Sequence, residues 1–271
     1  MCYHWGMDVM IRSYAKINIG LKVLEKRADG YHDIDSYFHL IDLCDEIYPQ
    51  LEKSAETKVE IAGNEGYLDK GRDIMEKAAL AFSEKSGITF SLKIRIRKNI
   101  PSKAGLGGGS SNGAAILKYL NTQFSNPLSS SELIALSLSV GSDLPFFVSG
   151  FSAARVRGRG EMVEEVSPLD LPVDLFIPSF SIDTSEAYYK LDTLDRSFSS
   201  LPDSLIPLSN ECFPNDFELA IARSPLIQSI SESYGYFSLS GSGSTYFGLN
   251  KKDSKELAES GIIHTISTLL I

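Results

Sequence analysis

A glycine-rich stretch constrains this chain more than any other feature. From residue 101 the sequence reads PSKAGLGGGSSNGAA, and every residue from Gly107 to Gly113 is small. Glycine loses more backbone entropy on folding than any other residue, so such a run needs a structural or functional reason. The alternating residues at 90–97 before it are typical of a strand. Apolar residues at helical spacing follow it, namely Leu117, Leu120 and Phe124.

Two interpretations of this stretch are open from its residues alone. Gly/Ser-rich linkers usually join domains and carry no helix register, whereas here a strand leads in and a helix leads out. That order favours a phosphate cradle, because free backbone N–H groups and the positive end of the helix dipole meet an anion there. The side chains of Ser110, Ser111 and Asn112 can donate to phosphate oxygens and can also cap the helix.

The common nucleotide loops do not fit the stretch. No Gly-Lys-Ser/Thr occurs in the chain, so the P-loop pattern is absent. The GxGxxG pattern fails because Ser110 stands where the third glycine would be. The HRD and DFG segments of protein kinases are missing as well. The sequence therefore predicts a phosphate cradle of another class.

Composition and charge exclude several kinds of protein. The 271 residues, 43% of them hydrophobic, suffice for one large domain or two ordinary ones. A net charge of −9 argues against a nucleic-acid partner, RNA included. The three widely spaced cysteines show no metal spacing and are typical of reduced thiols in a cytoplasmic protein. We expect no membrane partner, because no stretch is long and apolar enough to cross a bilayer, and residues 1–7 match no element.

Mixed strands and helices without regular βαβ alternation predict an α+β fold. The segment 14–23 alternates and predicts a strand with one buried face, while the other face carries Lys16 and Asn18. An S-x-x-E capping box at Ser129 begins a helix for which Gly141 is expected as a left-handed C-terminal residue. The other predicted strands are 34–41, 58–62, 90–97, short strands within 152–166, 173–177, 236–239, 244–249 and one near the end; the other predicted helices are 73–85, the one after the glycine-rich loop, 184–191, helices within 216–234 and one before the last strand.

Several segments together resemble one known family. PSKAGLGGGSSNGAA resembles the second motif of the GHMP kinase superfamily, P-x-x-x-G-L-[GA]-[GS]-S-[SA]-x-A. The segments YAKINIGLKV, KRADGYHDIDSYFHLIDLCD, GSDLPFFVSG, FPNDFE and SLSGSGSTYFG are similar to those of the 4-diphosphocytidyl-2-C-methyl-D-erythritol kinases within it. The resemblance runs from about Ser13 to Gly248, and RADGYH beside AKIN is its most specific part. Lys103 departs from a usual small residue and Gly113 from a usual alanine.

The resemblance implies a fold and an activity. It implies a two-lobed GHMP kinase fold, with an S5-domain-2-like N-terminal lobe at 8–166 and a ferredoxin-like C-terminal lobe at 167–271. It implies ATP-dependent phosphorylation, with Mg²⁺, of the 2-hydroxyl of a small-molecule substrate that carries a cytidine diphosphate group, in the non-mevalonate isoprenoid pathway. A cytoplasmic monomer or homodimer is expected. The alternatives are another small-molecule GHMP kinase, of the homoserine or mevalonate type, and a non-catalytic nucleotide-binding regulator.

The resemblance also assigns the catalytic residues Lys16 and Asp143. Taken alone, Asp143 lies just beyond a predicted helix C-terminus, where it is equally well a turn residue. A carboxylate at the negative end of the helix dipole is unfavourable for stability, which favours a function. Lone lysines on strands are mostly solvated, but Lys16 interrupts an apolar stretch and shares a face with Asn18.

The remaining assignments concern the two ligands. By resemblance Tyr31 and His32 recognise the cytidine group, with Thr184 and Tyr188 completing that site. From the residues alone Tyr31 and His32 are more typical of turn-flanking structural positions, and Thr184 and Tyr188 are also consistent with a helix cap and a core position. The third superfamily motif, SGSGST, gives Gly241 and Gly243 a supporting role and is otherwise a hairpin turn. With Asn18 these are the expected substrate residues, metal ligands are not assigned, and the expected ATP-binding residues are Pro101, Gly105, Leu106, Gly107, Gly108, Gly109, Ser110, Ser111 and Asn112.

Overall fold

The structure is a computed structural model that describes residues 9–63, 73–252 and 262–271. The strands in this part of the chain are β1 (Ile11–Lys26), β2 (His32–Lys53), β3 (Lys58–Ala62), β4 (Phe90–Arg97), β5 (Ala153–Gly158), β6 (Met162–Glu165), β7 (Pro172–Pro178), β8 (Tyr234–Leu239), β9 (Tyr246–Lys251) and β10 (Ile262–Leu269). The α-helices are α1 (Ile74–Ser86), α2 (Gly108–Gln123), α3 (Ser130–Val140), α4 (Leu144–Ser149), α5 (Thr184–Asp192) and α6 (Pro225–Ser231). A 3₁₀ helix spans Asp216–Leu219.

The chain divides into two compact units. The first unit comprises the described residues of Met1–Ala15, Leu43–Ser102 and Gly107–Phe151. The second comprises those of Lys16–Asp42, Lys103–Leu106 and Ser152–Ile271. These units are built from several separate segments each, so they do not test the predicted domains at 8–166 and 167–271, which remain a prediction.

The first unit packs helices against a small sheet. The later half of β2 pairs antiparallel with β4, and β3 lies parallel to β4. Helix α1 packs on α2 and α3, and α4 packs on α2. The rings of Phe82, Phe90 and Phe124 lie between 5.7 and 6.4 Å apart, which joins strand and helices in one aromatic cluster.

The pairs of β2 with β5 and of β5 with β6 belong to the six-stranded sheet, whose order is β3-β4-β2-β5-β6 with β1 beside β2, and the second unit also contains a separate second sheet. The early half of β2 pairs antiparallel with β5, and β5 pairs with β6. Four further strands form an antiparallel sheet in the order β10-β7-β9-β8. Buried residues of this sheet, such as Phe176 and Phe237, pack with Leu191 of α5 and Ile227 of α6. The prediction of an α+β fold is therefore confirmed.

Most local predictions agree with the structure. Strands β3 and β4 have the predicted bounds, and α1 begins after Asp73, whose side chain accepts from the Met75 N–H, and ends at left-handed Gly87. The capping box at Ser129 and Glu132 is present. The last predicted helix and residues 1–7 lie outside the described residues.

Several local predictions are wrong. Gly141 is extended rather than left-handed, with φ 179° and ψ 152°. Helix α4 was not predicted, because Pro145 was interpreted only as a helix stop; proline is also favoured at a helix start, and here it lies at the start of α4. The predicted helical region 216–234 contains only the 3₁₀ helix and α6, and Tyr234 already begins β8.

Gly113 has a packing role. A Cβ built at this position would lie 2.5 Å from Cγ2 of Ile74 and 3.3 Å from Cδ2 of Leu144, so α1 and α4 approach α2 where it has no side chain. An alanine would gain about 1 kcal/mol in helix propensity but would overpack this contact.

We predict that Gly113→Ala lowers the free energy of unfolding by about 1 kcal/mol, because overpacking typically costs about 1–3 kcal/mol and outweighs the propensity gain. Gly109→Ala in the same helix is the matched control, since no heavy atom lies within 4 Å of its Cβ position. Urea unfolding of both variants measures the difference. Equal or higher stability of Gly113→Ala relative to Gly109→Ala would contradict this account.

Candidate active site

Strand β1 buries its polar face as well as its apolar face. Ala15, Ile17 and Ile19 are fully buried as predicted, but Lys16 is only 3% exposed and Asn18 is fully buried. A buried ammonium is costly unless hydrogen-bond acceptors surround it. Lys16 is therefore not the solvated lysine that is usual on a strand.

The Lys16 ammonium lies among polar and aromatic acceptors of the second unit. Its Nζ donates to Asn18 Oδ1 at 2.5 Å and to the Gly105 carbonyl at 3.2 Å. The same Nζ lies 4.8 Å from the centre of the Phe38 ring, within cation–π range. The structure thus brings Lys16, Asn18 and Gly105 together, and their assigned roles remain predictions.

The segment 103–106 of the glycine-rich stretch is fixed on two sides. Leu106 accepts from the Lys16 backbone N–H at 2.9 Å, and Ala104 accepts from the Thr245 N–H at 3.1 Å. The Gly105 carbonyl also accepts from Ser240 Oγ at 3.0 Å. The second unit therefore joins β1, this segment and the SGSGST loop between β8 and β9.

Glycine is required where these segments meet. Gly105 has φ +77°, and a Cβ there would lie 2.1 Å from the Ser240 carbonyl oxygen and 2.8 Å from that of Gly243. Gly241 has φ +57°, and its Cβ position lies 3.3 Å from the Gly105 carbonyl oxygen and 3.5 Å from Lys16 Nζ. Both glycines combine a left-handed backbone with a close approach.

Sequence reasoning missed the role of Asn215 in this arrangement. Its Nδ2 donates to the carbonyls of Leu239 at 2.7 Å and Gly241 at 2.9 Å, and its Oδ1 accepts from the Phe217 N–H. Asn215 belongs to the FPNDFE segment, which was noted only as a helix start. In the sequence, Asn215 is only an amide side chain before a short helix. That position does not indicate which distant carbonyls the side chain binds.

The start of α2 lies in the first unit. Gly107 is the N-cap, with φ 69° and without a side-chain cap, and the helix begins at Gly108. The first N–H groups of a helix have no intrahelical acceptors, so this end offers donors to an anion. The prediction that Ser110, Ser111 or Asn112 caps the helix is wrong, because all three lie inside it.

Two of these three polar side chains are engaged within the protein. Ser111 accepts from Ser13 Oγ at 2.6 Å, and Asn112 Nδ2 donates to Asp45 Oδ2 at 3.0 Å. Ser110 is partly exposed. Phosphate donation by Ser111 or Asn112 remains a prediction, as does the same role for Pro101 and the loop glycines.

Asp45 is a further residue that the sequence did not single out. It is fully buried, and its Oδ1 accepts from the backbone N–H groups of Asn99 at 2.8 Å and Ile100 at 2.9 Å. Its Oδ2 pairs with Lys98 and Asn112. Asp45 thus ties the end of β4 to the second turn of α2 and fixes both ends of the segment that carries Pro101.

Asp143 lies in the first unit as the N-cap of α4, partly buried, with φ −87°. The dipole argument made from the sequence is therefore wrong for this residue. A carboxylate at a helix N-terminus faces the positive end of the dipole, which is favourable. Its side chain makes no capping hydrogen bond.

The expected cytidine residues are placed in the second unit. His32 is buried; its ring stacks on Tyr188 at 5.0 Å with an interplanar angle of 18°. Tyr31 is 50% exposed, and the Arg159 guanidinium lies 4.2 Å from its ring centre. Thr184 is not the cap of α5, because Asp183 is, and its Oγ1 lies 2.9 Å from Ser242 Oγ of the SGSGST loop.

Asp192 orients the histidine of this group. His32 Nε2 lies 2.8 Å from Asp192 Oδ1, and because a carboxylate only accepts, Nε2 carries a proton. Burial raises the pKa of Asp192, but hydrogen bonds from Lys26 and His32 outweigh it and hold this pKa below its usual value. The carboxylate is therefore ionised at neutral pH and keeps His32 as a donor at Nε2.

The described residues do not identify a metal site. Among them, no group of three His, Cys, Asp or Glu side chains could hold a metal ion.

None of the helices in this part of the chain is long and apolar enough to cross a membrane.

Comparisons with known proteins show which family the chain belongs to. Residues 73–151 match the family model described as "GHMP kinases N terminal domain". The chain is 34% identical over 259 residues to 4-diphosphocytidyl-2-C-methyl-D-erythritol kinase of Hydrogenobaculum sp., which covers 92% of this chain and 89% of that protein. The chain belongs to this kinase family.

Further comparisons extend the match over the chain. The chain is 36% identical to the Geobacter metallireducens protein of the same name, covering 93% of this chain and 94% of that protein. A crystal structure of 4-(cytidine 5'-diphospho)-2C-methyl-D-erythritol kinase superposes with a TM-score of 0.77 at 27% identity, over 97% of this chain and 99% of that one. The predicted family and two-lobed GHMP kinase fold are confirmed.

We predict that Gly105→Ala lowers kcat/KM by at least about 100-fold, because the added methyl group displaces a backbone that positions Lys16. Steady-state ADP release measures the change. Gly87→Ala is the matched control: Gly87 has a similar φ of +70° but no heavy atom within 4 Å of its Cβ position. Similar activity in the two variants would show that the approach of Gly105 to Ser240 is unimportant.

Proposed function

We propose that this protein catalyses the ATP-dependent phosphorylation of the 2-hydroxyl of 4-diphosphocytidyl-2-C-methyl-D-erythritol, a step of the non-mevalonate isoprenoid pathway. The observation that carries the proposal is the buried Lys16 ammonium, held by Asn18 and by the Gly105 carbonyl of the glycine-rich stretch. Phosphoryl transfer needs fixed positive charge and positioning more than covalent chemistry, and this arrangement supplies a fixed cation. Membership of the kinase family supports the same reaction.

The start of α2 is proposed to bind the ATP phosphates. Gly107 places the first N–H groups of a 16-residue helix beyond a left-handed turn, and no acidic residue occupies the first turn. These amides and the helix dipole favour an anion. Mg²⁺ would accompany ATP and neutralise its phosphates, and because the described residues offer no ligand cluster, no protein ligand is assigned to it.

Asp143 is proposed as the general base that accepts the proton of the 2-hydroxyl. It is the N-cap of α4 and its side chain makes no capping hydrogen bond to that helix, and a carboxylate is a common general base. Lys16 is proposed to stabilise the negative charge that develops on the transferred group and the attacking oxygen. Full turnover of an Asp143→Asn variant would remove the base role.

Tyr31, His32, Thr184 and Tyr188 are proposed to bind the cytidine group. The exposed ring of Tyr31 offers a face for stacking on a base. His32 is held by Asp192 and packed against Tyr188, so its ring has a fixed orientation. Retained preference for the cytidine substrate over its uridine counterpart in a Tyr31→Ala variant would contradict this assignment.

The proposed reaction is tested by ADP release from ATP with and without the cytidine diphosphate substrate. Homoserine and mevalonate serve as controls, because kinases for these substrates share the superfamily. Release that depends on the cytidine diphosphate substrate alone supports the proposal. Release that is equal with mevalonate or homoserine, or no release above ATP alone, would refute it.

We predict that Lys16→Met lowers kcat by about 100-fold or more while the KM for ATP changes little, because the ammonium stabilises charge mainly in the transition state. Lys22→Met is a control for loss of a lysine on the same strand, since Lys22 pairs instead with Asp216 at 3.1 Å. Initial-rate kinetics over a range of ATP concentrations separate the two parameters. Equal losses in kcat and ATP affinity would assign Lys16 to ATP binding instead.

A further inference from the structure

Ser36 lies behind the Lys16–Asn18 pair and has no assigned role. It is fully buried on β2. Its Oγ donates to the Gly20 carbonyl at 2.6 Å and accepts from Asn18 Nδ2 at 3.0 Å. Asn18 in turn contacts Lys16, so a chain of three hydrogen bonds runs from the backbone of β1 to the ammonium.

The chemistry of these groups leaves one consistent arrangement. A hydroxyl has one proton, and a carbonyl can only accept, so the Ser36 proton goes to Gly20. Ser36 Oγ must then accept from Asn18, which directs the NH₂ of that amide to Ser36. The other side of the amide, Oδ1, faces Lys16, and an ammonium can only donate. We call this chain of hydrogen bonds, Gly20–Ser36–Asn18–Lys16, the relay. Both of its ends require the same orientation of the Asn18 amide.

The relay is anchored at a fixed backbone position. The Gly20 N–H donates to the Tyr236 hydroxyl at 2.9 Å, and that hydroxyl donates to the Phe213 carbonyl at 2.8 Å. Tyr236 is fully buried between these partners. Gly20, which starts the relay, is thus held independently of Ser36 and Asn18.

We propose that Ser36 is a positioning residue of the phosphoryl-transfer site: its hydroxyl fixes the Asn18 amide so that Oδ1 holds the Lys16 ammonium. The proposal rests on the proposed function insofar as Lys16 acts in the reaction. Without the hydroxyl, the Asn18 NH₂ is buried without its acceptor, and rotation of the amide places NH₂ against the ammonium. Lys16 then loses one of its acceptors and is no longer fixed on the Asn18 side, while the start of α2, which is proposed to bind ATP, is untouched.

The experiment compares Ser36→Ala with Ser36→Thr and with Ser137→Ala. Threonine keeps the hydroxyl and suits a strand. Ser137 is the matched control, since it is also a fully buried serine but donates only to the Ile134 carbonyl within α3. We expect Ser36→Ala to lower kcat by about 100-fold with the KM for ATP within about 2-fold, because a displaced catalytic group affects turnover more than binding. Ser36→Thr should restore most of the turnover, and Ser137→Ala should not change it.

The results separate this proposal from the proposed function. An active wild type whose Ser36→Ala variant keeps half of its kcat or more would overturn the role of Ser36 and leave the function standing. Failure of Ser36→Thr to restore turnover although it is folded would also overturn it. Wild-type protein without activity on the cytidine diphosphate substrate would instead refute the function.

A second measurement tests the relay without a kinetic assay and without the Ser36→Ala variant. NMR of the wild type should show slowly exchanging side-chain amide hydrogens that disappear in an Asn18→Asp variant and persist in Ser36→Thr. Rapid exchange of the Asn18 amide hydrogens in the wild type would show that Ser36 does not hold them, and would overturn the proposal.

Discussion

The buried ammonium of Lys16 sets the requirements for the structure around it. A charge that is 3% exposed must be met by acceptors, and these come from β1 itself and from a loop 89 residues further along the chain. The Gly105 carbonyl serves Lys16 and Ser240 together, so the SGSGST loop is tied to the same point. The ammonium and the carbonyl that accepts from it thereby join several separate segments.

Glycine provides the space that this arrangement needs. Two carbonyl oxygens approach Gly105 so closely that a Cβ is excluded there, and both Gly105 and Gly241 have a left-handed backbone that other residues avoid. Gly113 serves packing instead, where α1 meets α2. The entropic cost of so many glycines is therefore explained by close approach at some positions and by backbone direction at others.

Periodic features could be predicted from the sequence, and long-range ones could not. Alternation predicted β1 and β4, and local side-chain chemistry predicted the capping box at Ser129. Helix α4 has only six residues, which is too short for an apolar period, so the position of Asp143 at a helix start was missed. The apolar alternation of β1 also gave no sign that its polar face is buried.

In the candidate site, too, local motifs could be predicted from the sequence and long-range contacts could not. Lys16, Asn18 and the SGSGST loop were assigned because their motifs resemble those of a family, whereas the residues of the glycine-rich stretch alone already favoured a phosphate cradle. Ser36, Asp45, Asp192 and Asn215 each have a partner at least 16 residues away in the sequence, from 16 residues for Ser36 with Gly20 to 166 residues for Asp192 with Lys26. Single polar residues of this kind carry no local pattern, since only the fold brings their partners to them.

The central claim, phosphorylation of the 2-hydroxyl, is tested most directly by ³¹P NMR of the product. In 2-C-methyl-D-erythritol the 2-carbon carries a methyl group and no hydrogen. A phosphomonoester formed there has no three-bond coupling to a proton, so the account predicts a new resonance that stays a singlet without proton decoupling. A new phosphomonoester signal split by a neighbouring CH or CH₂ would place the phosphate on another hydroxyl and contradict it.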